Sequence, residues 1–240
     1  MKRIIYLLVV LFVLASCDKY SHLRHFISFE GGFASSSITY DLLNAELHYY
    51  YTNLILPEMA KYPDGFFDRI GLNTIAIVRN LKKNNVDIGG VASNGNHILF
   101  VDTGPRNRDS EIKHAFHHEL NHCTDFYIMR NYISHWDQWL DLYHDSYVGG
   151  IAHKEGENGN KSLGYWPNLS GFLNNYSTLN QGEDRSEMMA FYLTKNENAL
   201  FIQKAKNDEV FYQKAVTLFT FYKEKLDFNL LDEFLLKVNQ

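Results

Sequence analysis

Cysteine is scarce: the 240 residues contain two, Cys17 and Cys123. A chain so poor in thiols has no disulfide framework, so its stability must come from packing. Excess positive charge is missing too. Lys and Arg total 23 against 28 Asp and Glu, a formal charge of −5, and there is no basic stripe of the kind nucleic-acid binders carry. Nucleic acid is therefore not an expected partner. Internal repeats and low-complexity runs are absent, and the single long apolar run, Ile4 to Val13, is too short to span a bilayer. Aromatics, at 15%, are plentiful and fit a packed globular core rather than a disordered chain.

The first residues carry an export pattern. Lys2 and Arg3 precede the apolar run, which leads to Leu14, Ala15, Ser16 and Cys17. Small residues directly before a cysteine resemble the bacterial lipobox. An ordinary signal peptide with an incidental cysteine is the plainer alternative. The expected organisation is a signal at 1–16, a lipidated tether at 17–37 starting with Cys17, and a single domain at 38–240. Loss of Lys2 and Arg3 takes the charge to −7. The expected location is the cell envelope, with the lipid as anchor.

Tyr40 to Tyr62 repeats apolar residues at helical intervals and predicts an amphipathic helix, with Pro63 just beyond it. Thr74 to Val78 and His97 to Val101 predict strands, and Gly89 to Ser93 predicts a third strand or the edge of the same small sheet. A helix is predicted from Asp109 or Glu111 to about Tyr132, where Gly and Pro are missing. Val148 to Gly182 is rich in glycine and reads as a long irregular connection. After it the pattern predicts three helices, at about 184–195, 207–226 and 229–238.

The helix of 111–132 contains His118-Glu119-Leu120-Asn121-His122, an H-E-x-x-H motif. Helical positions four apart lie ~40° apart around the axis, so the two imidazoles face the same way and can share one zinc ion. Glu119 lies beside that pair and can take a proton from a water that the metal polarises. His114 and His118 are also four apart, but Ala115 stands where the carboxylate would be needed, so His118 and His122 are the preferred pair. For a third ligand, a histidine six residues after His122 is excluded by Ile128. Asp125, a later histidine (His135, His144 or His153) or a later glutamate remain. Glu183 and Glu187, four apart at the start of a helix with an apolar face, are the best candidates. One can bind metal while the other accepts the outer N–H of a ligand histidine. Acidic residues are also favoured in any first helical turn by the dipole, which is the competing explanation.

His118 to Asp125 resembles the H-E-x-x-H-x-x-D helix of lethal-factor-like and Pro-Pro endopeptidases. Those gluzincins take a third ligand from the first Glu of E-x-x-A-E and place a tyrosine seven residues before it. Here Glu183 to Glu187 matches, with Ser186 in place of Ala, and Tyr176 stands at the tyrosine position. Cys17, the His118 to His122 motif, Gly171-Phe172 through Tyr176, and Glu183-Asp184 through Met188 are together similar to the zinc-binding metallopeptidase lipoproteins associated with substrate import in Bacteroidetes-type outer membranes.

That resemblance implies an α+β, zincin-like fold with a small sheet against the active-site helix and a helical C-terminal part. It implies Zn2+ held by His118, His122 and Glu183, with Glu119 as base. Tyr176 would assist a developing oxyanion, Glu187 would support a ligand, and Asp125 would orient structure. It also implies a peptide or protein substrate, paired with an edge strand formed by Gly90 to Ser93 or by Ile98 to Val101, and an outer-membrane import system as an associated partner. The location it implies is the outer membrane, on its periplasmic or surface face. A non-catalytic envelope lipoprotein that binds peptide or glycan, and a zinc hydrolase acting on another bond, are the rival readings. Trp136, Trp139 and Trp166 are candidates for cleft or core, and Cys123 reads as a small core residue.

Overall fold

The structure is a computed structural model that describes residues 20–30, 37–93, 98–104, 108–132, 139, 147 and 169–240. The signal, Cys17, His135, His144, His153, Trp136 and Trp166 lie outside these residues.

The sheet is built around one long strand. The N-terminal elements are α1 (Ser21–Arg24), β1 (Ile27–Ser28), β2 (Ile38–Asp41), a 3-10 turn (Ala45–Leu47), α2 (His48–Met59) and α3 (Phe66–Ile70). They are followed by β3 (Thr74–Lys83), β4 (Val86–Asp87), β5 (Gly90–Ser93) and β6 (Ile98–Asp102). The order is β1-β3-β6-β5, with β1 and β6 parallel to β3 and β5 antiparallel to β6. The far end of β3 turns away and pairs with β2 and β4 instead.

The first half of β3 is buried on both faces, as expected of a central parallel strand. Ile75 and Ile77 point into the main core, while Ala76 and Val78 join Leu81, Val91 and Phe100 in a second, smaller core behind the sheet.

The helical part comprises α4 (Asp109–Asn131), α5 (Gln181–Leu193), α6 (Asn198–Asn207), α7 (Glu209–Leu226) and α8 (Leu230–Val238). The last three helices form an aromatic block against the back of α5. Tyr192 meets Phe219 at a ring separation of 4.6 Å, Phe201 meets Phe211 at 4.9 Å, and Phe234 meets Phe219 at 5.3 Å. A fully buried phenylalanine such as Phe219 or Phe234 contributes about 1.5–3 kcal/mol of apolar burial, so this block holds α5 firmly from behind.

Several expectations are corrected here. Part of the supposed tether folds: Leu23 and Phe26 are buried, and β1 pairs with Ile75 and Ala76 of β3. Partner strands, not local composition, order that segment. The helix expected from Tyr40 begins at His48, because Ile38 to Asp41 is drawn into pairing with β3 and the 3-10 turn intervenes. A fourth C-terminal helix, α6, was not expected. Its apolar stripe is short, with Phe201 and Ala205 as its buried apolar residues. α5 begins at Gln181, earlier than the pattern suggested, because the Asn180 side chain accepts the N–H groups of Gly182 and Glu183 and caps it.

Candidate metal centre

α4 and α5 pack side by side, and the site is the seam between them. α4 is buried on most sides. Ile112, Phe116, Leu120, Cys123 and Ile128 face the main core, while His114, His118, Asn121, His122 and Asp125 form a polar stripe toward α5.

Each residue from Glu183 to Glu187 is buried and has its own partner. Glu183 Oε2 lies 3.0 Å from His118 Nε2 and 3.2 Å from His122 Nε2. Asp184 accepts from Lys214 Nζ at 2.8 Å and from the Tyr147 hydroxyl at 2.7 Å. Arg185 Nη2 donates to Asp125 at 2.8 Å. Ser186 accepts from Asn121 Nδ2 at 3.0 Å, which gives a function to the hydroxyl that stands where the resembling families have alanine. Glu187 Oε1 lies 2.8 Å from His118 Nδ1, and its Oε2 accepts from Asn174 at 2.6 Å. A solvated first turn does not describe this helix: Glu183 is 8% exposed and Glu187 1%.

The three candidate ligand atoms form a tight triangle. His118 Nε2 and His122 Nε2 are 3.1 Å apart, and both lie within 3.2 Å of Glu183 Oε2. Ligand atoms around a tetrahedral zinc with bonds of ~2.1 Å stand roughly 3.4 Å apart, so the triangle is close to one face of that tetrahedron. Glu187 at Nδ1 places the proton of neutral His118 there and leaves the Nε2 lone pair facing the triangle.

The electrostatics agree with a cation. Burial works against both charges, yet His118 is raised well above the usual imidazole range by Glu183 and Glu187. Glu183, likewise against its burial, is held well below the carboxylate range by His122 and His118. Burial also opposes charge on His114, but Glu187 and Glu197 outweigh it and raise that imidazole to about 9. Glu119, Glu183 and Glu187 bring three negative charges, which a divalent ion and one imidazolium would balance. The residues present thus fit a zinc ion in number, type and spacing.

Glu119 reaches the site from the sheet side. The backbone N–H of Ala92 hydrogen-bonds its carboxylate, and burial raises its pKa against the opposing pull of His118 and His122. Among the described residues β5 is the end strand of the sheet and β6 is interior, so Ile98 to Val101 is not the edge that was one of the two options. Asp102 N–H bonds Gly89 O, and the alternation of an antiparallel ladder then turns the Gly90 and Ala92 backbone groups outward, away from β6.

Tyr176 sits with its ring 5.7 Å from that of His118, and its hydroxyl hydrogen-bonds Glu183. Asp125, 4% exposed, is engaged with Arg185 rather than with the triangle. Cys123 is buried in the core, where burial pushes its thiol pKa up. Trp139 is fully buried beneath Arg185 and donates to the Tyr147 hydroxyl, which makes it a core residue.

Two charged neighbours of the site escaped the sequence reading. Lys83, half-buried at the end of β3, is lowered by burial while its charge interacts with Glu119 and Glu183. Its position inside a run of charged and polar residues gave no signal. Glu197 meets His114, and it lies too far along the chain for any spacing argument.

No family model and no curated protein sequence matches the chain. Among solved structures, it superposes on the crystal structure of a protein from Bacteroides caccae described as a candidate zinc-binding metallo-peptidase. The TM-score is 0.57 at 11% identity, over 92% of this chain and 88% of the other. Likeness at that identity speaks to the fold: the protein has an α+β, zincin-like architecture, with a small sheet beside the H-E-x-x-H helix and a helical C-terminal part.

Proposed function

We propose that the protein is a zinc-dependent peptidase of the gluzincin type, with His118, His122 and Glu183 as ligands. The observation that carries this reading is the triangle of two imidazole nitrogens and one carboxylate oxygen, 3.0–3.2 Å on each side, with the carboxyl of Glu119 in the same motif. When bound, zinc polarises a carbonyl and acidifies water. Glu119, held by the Ala92 N–H, accepts a proton from the attacking water and returns it to the leaving amine. Tyr176 donates its hydroxyl to the oxygen that gains negative charge. The outward N–H and C=O of Gly90 and the outward carbonyl of Ala92 offer an extended peptide a strand to pair with, and this supports a peptide bond as the target.

The Lys2-Arg3, apolar and Cys17 pattern supports export and lipid attachment, with a role beside an outer-membrane import system. No helix among the described residues is long and apolar enough to cross a membrane.

A peptide library incubated with zinc-loaded protein and read by mass spectrometry tests the reaction. Cleavage by the wild type is expected. Glu119→Gln should keep zinc and lose about 10²–10⁴-fold in turnover. An active Glu119→Gln protein would remove the mechanism, and zinc retention without cleavage of any peptide would favour a binding lipoprotein.

A further inference from the structure

The polar stripe of α4 extends one turn beyond the two motif histidines, to His114. One of its ring nitrogens, Nε2, lies 3.2 Å from Glu187 Oε1, the same oxygen that meets His118 Nδ1. The other, Nδ1, lies 2.7 Å from Glu197 Oε2, in the turn between α5 and α6. The ring is wedged as well: Phe191 presents to it at 5.4 Å and 83°, and the His118 ring lies nearly parallel at 6.3 Å. A continuous chain therefore runs from the partly exposed Glu197 through His114 and Glu187 to His118.

We infer that His114 and Glu197 are positioning residues for the metal centre, acting through Glu187 on the orientation of the His118 ring; this rests on the ligand set proposed above. The physical argument concerns freedom. A glutamate carboxylate can rotate about its terminal torsion, and a rotated Glu187 would leave the His118 Nδ1–H without an acceptor and release the ring. Asn174 fixes one oxygen of Glu187, and His114 shares the other with His118, so both oxygens are pinned. His114 is in turn held from both ends. Outer partners of ligand histidines typically contribute 10–100-fold in metal affinity.

His114, His118 and Glu187 also come within ligating distance of one another, so a second metal site is the competing explanation. It would require His118 to give up both ring protons and bridge two ions, whereas hydrogen bonding accounts for the contacts with one proton on each shared nitrogen.

The test uses the full chain, with His114→Ala, Glu197→Gln and the double variant. Zinc affinity is measured by chelator competition and ligand geometry by the visible spectrum of the cobalt-loaded protein, with melting of the metal-free protein alongside. His114→Ala should weaken zinc binding about tenfold and shift the cobalt bands. Glu197→Gln should act in the same direction but less. The double variant should be no weaker than His114→Ala, because the two residues act in series. A merely structural role would lower the melting temperature and leave the affinity and the cobalt bands unchanged, which would overturn the inference. So would a second zinc equivalent in the wild type that disappears in His114→Ala. Should His114→Ala not fold, Glu197→Gln, at the exposed end of the chain, decides by the same readouts. A wild type that binds no zinc would instead refute the ligand set itself.

Discussion

Gly90 of β5 lies against Glu119 of α4 so closely that a Cβ on the glycine would stand 2.5 Å from the glutamate Cγ and 3.1 Å from its Oε1. The strand thus approaches the helix only because it has no side chain there, and this approach lets the Ala92 N–H reach the carboxylate. Gly90→Ala should displace Glu119 while leaving the three ligands in place. Turnover should fall on the order of a hundredfold with zinc content unchanged, since a shift of about 1 Å costs that much in a positioned group. Full activity in this variant would show that the strand can retreat freely.

Lys214 and Asp184 are fully buried and 2.8 Å apart, joining α7 to α5 beneath the site. Lys214 also donates to Gly171 O and stands 3.7 Å from the centre of the Phe172 ring. Lys214→Met leaves the carboxylate without its counter-charge, a change that costs about 3–5 kcal/mol in comparable buried pairs. Urea denaturation measures it. A loss below about 1 kcal/mol would mean that Tyr147 alone satisfies Asp184.

Acid should destabilise the protein through a second buried pair. His117 Nε2 lies 2.9 Å from Glu58, and its Nδ1 lies 2.9 Å from the Tyr62 hydroxyl. Burial keeps His117 neutral, at about 4. Glu58, although burial opposes it, is lowered to about 2 by His117 and Lys61. Both folded values lie below the unfolded ones of 6.5 and 4.5, so both contributions are complete above pH 6.5. The histidine part is lost as pH falls from 6.5 toward 4, and the glutamate part from 4.5 toward 2. Denaturant midpoints of chelator-treated protein should decline over that window, and they should also fall as pH rises above 7, because His114, raised from 6.5 to about 9, loses its own contribution in that direction. Glu58→Gln should be less stable at pH 7 by on the order of 3 kcal/mol, with the difference vanishing near pH 2. A constant difference across the range would contradict the assignment.

What the sequence revealed follows from which constraints are local. The spacings within His118-Glu119-x-x-His122 and Glu183 to Glu187 project side chains from single helices, so the geometry of one helix suffices to read them. The limits of α4 were legible for the same reason, since 109–131 contains neither Gly nor Pro. β1 and β2 were not, because each is ordered by pairing with β3 rather than by its own composition. The partners of the charged residues were equally hidden. His114 finds Glu197 83 positions away, His117 finds Glu58 59 away, and Asp184 finds Lys214 30 away. Glu183 is preferred to Asp125 as the third candidate ligand from the spacing and the resemblance, but the partner that occupies Asp125, Arg185 on α5, was not legible.

Zinc content after dialysis against a chelator, measured by elemental analysis on the wild type and on Glu183→Ala, tests the central claim most directly. The account predicts one zinc per wild-type chain and essentially none in the variant. Equal zinc in both proteins would contradict it.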